Sequence, residues 1–154
     1  MFHVLLYEPE IPPNTGNIIR LCANMGATLH LIKPLGFDLD DKKLRRAGLD
    51  YREWASMRVH DSLQACLDEA RPRALYALST KASRCYADAS FQAGDGFLFG
   101  PESRGLPQAT RESLPESRRL RIPMVEGSRS LNLSNAAALV LYEAWRQCGF
   151  SGNV

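Results

Sequence analysis

Short apolar runs and amphipathic stretches alternate along this chain, and the change of period from one to the next predicts its elements. Phe2 to Tyr7 is an apolar run of strand formers stopped by Pro9. Ile18, Leu21, Cys22 and Met25 then recur at helical spacing, with Asn14 as the expected N-cap and Gly26 as the expected C-terminal stop. Thr28 to Ile32 alternates polar and apolar positions, which predicts a second strand. Strand, helix and strand within about thirty residues is the mark of a parallel crossover unit. Asp38 to Ala47 predicts a charged helix, acidic first and basic last as the helix dipole favours, with Gly48 ending it. Met57 to His60 predicts a short strand, and Asp61 caps a helix from Ser62 to Arg71. Ala74 to Leu78, Phe97 to Phe99 and Leu120 to Ile122 read as buried strands, whereas Thr80 to Gly96 holds no single period. The last helix, capped by Ser134 or Asn135, carries only Glu143 as a charge between Ala136 and Trp145. A helix apolar nearly all round must be covered on more than one side.

These elements add up to one α/β domain over residues 1–154, a mostly parallel sheet of roughly five or six strands with helices on both faces. The length suffices for a single hydrophobic core. With 45% hydrophobic and 23% charged residues the chain reads as globular, and a net charge of +2 permits a nucleic-acid partner without demanding one. Cys22, Cys66, Cys85 and Cys148 form no C-x-x-C pair, so neither a metal site nor a redox pair is indicated, and buried free thiols are expected. His3, His30 and His60 each stand alone in a predicted strand and read as structural. The N-terminus has no basic leader and no run spans a bilayer, so a cytoplasmic protein without membrane contact is expected.

Candidate chemistry gathers in three polar loops at strand ends, where α/β proteins place their ligands. The first, P-P-N-T-G-N-I-I-R, is neither G-x-G-x-x-G nor a Walker loop. It offers a helix N-terminus suited to an anion, with Asn14 and Arg20 facing a phosphate; the plainer reading leaves Asn14 a cap and Arg20 solvated. The second, L-F-G-P-E-S-R-G-L-P, has two glycines that imply tight backbone or close approach of another group. Its Glu102 and Arg104 can pair with each other, and its Ser103 lacks the setting of a nucleophile elbow. The third runs I-P-M-V-E-G-S-R-S-L-N-L-S-N, with Ser128, Ser130 and Asn132 around a turn and Leu131 and Leu133 packing inward. Lys42, Lys43, Arg45, Arg46, Arg118, Arg119 and Arg121 are either solvated faces or, with Arg20, a track for an RNA backbone.

Taken together and in this order, with L-R-R-A-G-L-D-Y between the first and second, these stretches resemble the SPOUT-class RNA ribose 2′-O-methyltransferases. The resemblance is narrowest to the small single-domain tRNA (cytidine/uridine) wobble-position enzymes. It covers nearly the whole chain, with one difference: Arg52 follows D-Y where the family often has tryptophan, and Trp54 comes later. The resemblance implies a C-terminal deep trefoil knot, a rare exception among folds. It implies S-adenosylmethionine held by backbone groups of three loops, at Leu78, Gly100, Ile122, Ser130 and Leu131. It assigns catalysis to Arg20 with Asn14, Arg20 holding the phosphate beside the target ribose, while Glu102, Ser130 and Asn132 fix the loops. Arg20, Arg45, Arg46 and Tyr142 would meet the tRNA anticodon stem-loop, Tyr142 by stacking unless it is a core aromatic. A homodimer, each site completed by the partner's first loop, and no metal are also implied. Three other readings are open: the same chemistry on ribosomal RNA or another tRNA position, an RNA-holding module without chemistry, and a flavodoxin-like nucleotide binder. The last needs a phosphate loop that N-T-G-N supplies poorly.

Overall fold

The computed structural model describes residues 1–45 and 50–154. Its seven strands are β1 (His3–Tyr7), β2 (Thr28–Ile32), β3 (Met57–His60), β4 (Leu75–Leu78), β5 (Arg84–Cys85), β6 (Gly96–Phe99) and β7 (Arg119–Arg121). They form one sheet in the order β3-β2-β1-β6-β4-β7-β5, and every pairing is parallel. The central strands read as unbroken apolar runs because both faces are covered. Val4, Leu6, Tyr76, Phe97 and Phe99 enter the larger core with Ile18, Ile19 and Cys22 of α1 (Pro12–Met25) and Ala137, Val140 and Leu141 of α6 (Leu133–Gln147). Leu5, Leu75, Ala77 and Leu98 enter a smaller core on the opposite face with Cys66 of α4 (Leu63–Ala70). No described helix is long and apolar enough to cross a membrane.

Several boundaries differ from the sequence expectation, each for a local reason. Asn14 does not cap α1. The helix begins at Pro12, with Ile11 in the cap position, because prolines fit the first helical turn with their fixed φ and absent N–H. Gly26 ends it in the left-handed region at φ 73°, as expected. Of the helix expected over 38–47, the structure shows α2 as Lys42–Arg45, preceded by the Asp41 carboxylate accepting from Lys43 N; Arg46 and the Gly48 stop lie outside the described residues. A further short helix, α3 (Tyr51–Ala55), is held by a capping box between Asp50 and Glu53. Ser62, not Asp61, caps α4, and Asn132, not Ser134 or Asn135, caps α6. The unassigned stretch 80–96 contains β5, so the sheet has seven strands.

The three histidines do not stand alone. They lie on the α4 face of β1, β2 and β3, each stepped two residues along its strand relative to the last: Leu5 pairs His30, and Ile32 pairs His60. Glu69 accepts from His60 Nδ1 at 3.2 Å, His60 Nε2 meets His30 Nδ1 at 2.8 Å, and His30 Nε2 meets His3 Nδ1 at 3.1 Å. With a carboxylate at one end, each ring donates from Nδ1 and accepts at Nε2, a one-directional chain. Cys66 packs against His30 and His60, but the ring nitrogens are already occupied by one another and by Glu69. Burial and the neighbouring His3 push the His30 imidazole down to about 4.

Candidate active site

The loops leaving β1, β6 and β7 meet through the side chains of Asn14, Glu102 and Asn132. The Glu102 carboxylate accepts from Glu10 N at 2.8 Å and Ile11 N at 2.8 Å in the first loop, and from Asn14 Nδ2 at 3.2 Å. The other end of the same amide, Asn14 Oδ1, accepts from Asn132 Nδ2 at 2.9 Å. Asn132 Oδ1 in turn accepts from Ser134 N and Asn135 N, which starts α6. Glu102, Asn14 and Asn132 thus join three segments far apart in sequence through groups that each use both ends. The Asn14 amide accepts from one neighbour while donating to the other, and the Glu102 carboxylate has lone pairs enough for three donors.

This arrangement replaces the expected anion site. Pro12 and Pro13 have no N–H, and Asn14 N bonds back to Ile11 O at 3.1 Å, so the first turn of α1 has few donors to offer. The donors just before it are taken by Glu102, a protein carboxylate where a phosphate was expected. Glu102 therefore does not pair with Arg104. Arg104 turns to Glu8 at 2.7 Å and Glu10, while the Glu10 carboxylate accepts from Ser103 N and Ser103 Oγ, both at 2.8 Å. Those two Ser103 bonds hold the Glu10 carboxyl below the usual carboxylate range. Glu8 takes a positive φ of 48° to turn the chain out of β1. At Gly100 the close approach comes from the loop itself: a Cβ would collide with the Leu106 nitrogen and the Gly105 carbonyl carbon. Gly105 closes that tight loop at φ 67°.

The residues expected to hold a cofactor occupy neighbouring strand ends. β4 lies between β6 and β7, with Leu78 paired to Phe99 on one side and Leu120 on the other, so Leu78, Gly100 and Ile122 end up side by side. Ser130 and the 40% exposed Leu131 stand on the loop that leads into α6. Among the described residues, the backbone between 122 and 131 closes one turn, Ser128 N to Val125 O, and residues 125–131 are exposed. Half-buried Ile122 and exposed Leu131 add apolar surface there. The chemistry of this set suits a small molecule with an apolar ring and several polar edges.

Arg20 is separated from this junction. Six residues of α-helix turn it about 240° from Asn14, so Asn14 is buried while the 45% exposed Arg20 reaches α3 and pairs through Nε with Glu53 Oε2. The two were expected to face one phosphate, and helical phase prevents it within one chain. Arg20 and Glu53 line a groove of about 730 Å³ together with Asn24, Thr28, Asp50 and Ser56. The Arg45 side chain and Arg46 lie outside the described residues. Tyr142 is no core aromatic; it is 41% exposed on α6 beside Leu139, edge-on to Trp145 at 5.6 Å. Arg119 and Arg121 donate to Leu114 O and Thr80 O and so tie loops as well as carry charge. Glu53 and Glu10 were not among the expected site residues; the Asp50 to Glu53 spacing, a capping-box signal, is the feature of the sequence that could have pointed to Glu53.

Comparison with known proteins supports one grouping. A tRNA (cytidine(34)-2'-O)-methyltransferase of Methylovorus glucosotrophus is 58% identical over 154 residues, the full length of both chains. A solved structure from work on 2-OH methylation of C/U34 on tRNA superposes with a TM-score of 0.89 at 46% identity, covering 97% of each chain. The SpoU methyltransferase AviRb of Streptomyces viridochromogenes, solved with AdoMet, gives a TM-score of 0.82 at 30% identity over 97% of this chain and 61% of its own. The model of the SpoU rRNA Methylase family matches residues 1–142, and the chain belongs to that family.

Proposed function

We propose that this chain transfers a methyl group from S-adenosylmethionine to the ribose 2′-hydroxyl of the wobble nucleotide, cytidine or modified uridine, in the anticodon stem-loop of tRNA. The observation that carries the reading is the Asn14–Glu102–Asn132 junction. It ties together the three loops that mark the family, beside the strand ends and the loop that carry Leu78, Gly100, Ile122, Ser130 and Leu131. The backbone of those residues is where S-adenosylmethionine would be held, and the cofactor supplies an electrophilic methyl group. The protein's task is then to place one ribose and exclude water, which can account for much of such a barrier. Arg20 holds the phosphate next to the target ribose. A guanidinium is a poor base, so the hydroxyl proton passes to a phosphate oxygen or to water. A tRNA-directed enzyme of this kind works in the cytoplasm.

Two structural expectations belong to the same reading. The chain after β7 is threaded as a knot. What supports it is the five-residue strap 79–83, which carries the chain from β4 to β5 on the far side of β7; parallel neighbours otherwise need much longer crossovers. The enzyme is a homodimer whose partner brings Arg20 to the site. What supports this is the outward stripe of Leu139 and Tyr142 on α6, together with exposed Ile11 at the first loop and the phase separation of Arg20 from Asn14.

The test is transfer of labelled methyl from S-adenosylmethionine to total tRNA by the purified protein, with the modified nucleotide mapped. Label at a 2′-O-methylated position 34 is the expected result. Cofactor binding by calorimetry without label on tRNA would move the search to another RNA. Arg20→Ala should abolish transfer while keeping cofactor affinity; retained transfer would remove Arg20 from the chemistry.

A further inference from the structure

Glu53 lies in the groove beside Arg20, where a carboxylate has no obvious place if the groove receives an RNA backbone. The groove is lined by two acidic residues, Asp50 and Glu53, beside two basic ones, Arg20 and Arg52, and a carboxylate next to a phosphate weakens binding unless it serves another group. Stability accounts for one of its oxygens, through the capping box with Asp50, but not for the other. Arg20 is 45% exposed, and ion pairs at such positions contribute little. The geometry of Glu53 is unusually constrained for a surface residue. Its N–H donates to Asp50 Oδ1 at 3.0 Å, its Oε1 accepts from Asp50 N at 3.3 Å, and its Oε2 meets Arg20 Nε. The carboxylate is only 14% exposed. One oxygen is thus tied to the start of α3, which aims the other at α1.

We infer that Glu53 is a positioning residue: it fixes the plane and reach of the Arg20 guanidinium before RNA arrives. An arginine has several rotatable bonds whose freedom must be lost before it can hold a phosphate in one place. A carboxylate on a separate, capped helix removes that freedom in the free enzyme. The inference rests on the reading of Arg20 given above, and it gives α3 a role in that reading.

The test uses the full chain, four single variants, Arg20→Ala, Glu53→Ala, Glu53→Gln and Asp50→Ala, and the Arg20→Ala/Glu53→Ala double variant, assayed for methyl transfer to tRNA. Glu53→Ala should lower kcat by about tenfold to a hundredfold, with cofactor affinity unchanged. Glu53→Gln should fall less, since an amide oxygen can still accept from Nε and glutamine preserves the capping box. Asp50→Ala removes the cap but leaves Glu53 facing Arg20; it should lower the melting temperature as much as Glu53→Ala and cost far less activity. In single-turnover assays long enough to read the residual rate of the Arg20→Ala enzyme, adding Glu53→Ala should cause no further loss. Equal losses on both backgrounds, or a Glu53→Ala enzyme at least as active as the parent, would overturn the inference. An active Arg20→Ala enzyme would instead refute the role of Arg20 itself, so the two failures are distinguishable.

Discussion

Two polar assemblies of the described residues, the histidine chain and the Asn14–Glu102–Asn132 junction, are built on opposite logic. The histidine chain runs across β1, β2 and β3, whose backbone ladders exist whatever the side chains do. The Asn14–Glu102–Asn132 junction connects loops, with partners 88 and 118 positions apart in sequence. There the side-chain bonds are themselves what holds the backbone in place. A change in the strand-borne cluster should therefore be absorbed by the sheet, and a change in the loop-borne cluster should move the site. The difference also explains why each set uses its residue types. Imidazoles can adjust which nitrogen donates, whereas a carboxylate and two amides with fixed donors and acceptors permit one arrangement.

The largest effect should come from Glu102→Ala. It strands Glu10 N, Ile11 N and the Asn14 amide at once, which should cost about 2–4 kcal/mol in urea denaturation and abolish methyl transfer. Stability loss without loss of transfer would mean that the junction is only a scaffold. Asn132→Ala should come next, losing about 1 kcal/mol of capping along with its bond to Asn14. Asn132→Ser should recover the cap and the stability but not the transfer, because a hydroxyl at that position is too short to reach Asn14. The histidine chain should respond to pH instead. The folded protein holds His30 down at about 4, against 6.5 for the free side chain. Below 6.5 the unfolded chain takes up a proton that the folded one refuses, so stability should fall as pH drops from 6.5 toward 4. Replacing the ring by His30→Leu should flatten that slope and leave transfer at neutral pH intact; thermal melts across this range decide it. The smallest effect should be Arg104→Ala, whose pairs with Glu8 and Glu10 are half exposed, at under about 1 kcal/mol. A larger loss would place this latch with the junction.

Much of the site was legible as location and little of it as connection. The three loops were recognisable because glycines, prolines and polar residues interrupt apolar periods at fixed places, and Gly26 announced the end of α1 through its φ requirement. Asn14 was legible as a polar residue at a helix start, but its amide crosses to Glu102 and Asn132 instead of capping its own helix. The Pro12-Pro13 pair, which moves the helix start forward and empties the anion site, was visible but read only as a turn. Arg20 was placed on the correct helix and with the wrong neighbour; its contact with Glu53 exists because α3 folds back against α1.

The sequence by itself determined the crossover order, the two-sided burial of the central strands and the positions of the polar loops. All of these follow from each residue's own backbone preference and from the period of its apolar neighbours. Only the tertiary structure decided that three histidines on separate strands would form one chain, that Gly100 would pack on its own loop, and that Asn14 would link Glu102 and Asn132 across three loops. The physical reason is that period and propensity report on bonds within about one turn or one pleat. A polar side chain instead bonds with whichever unsatisfied group the packed core brings within reach.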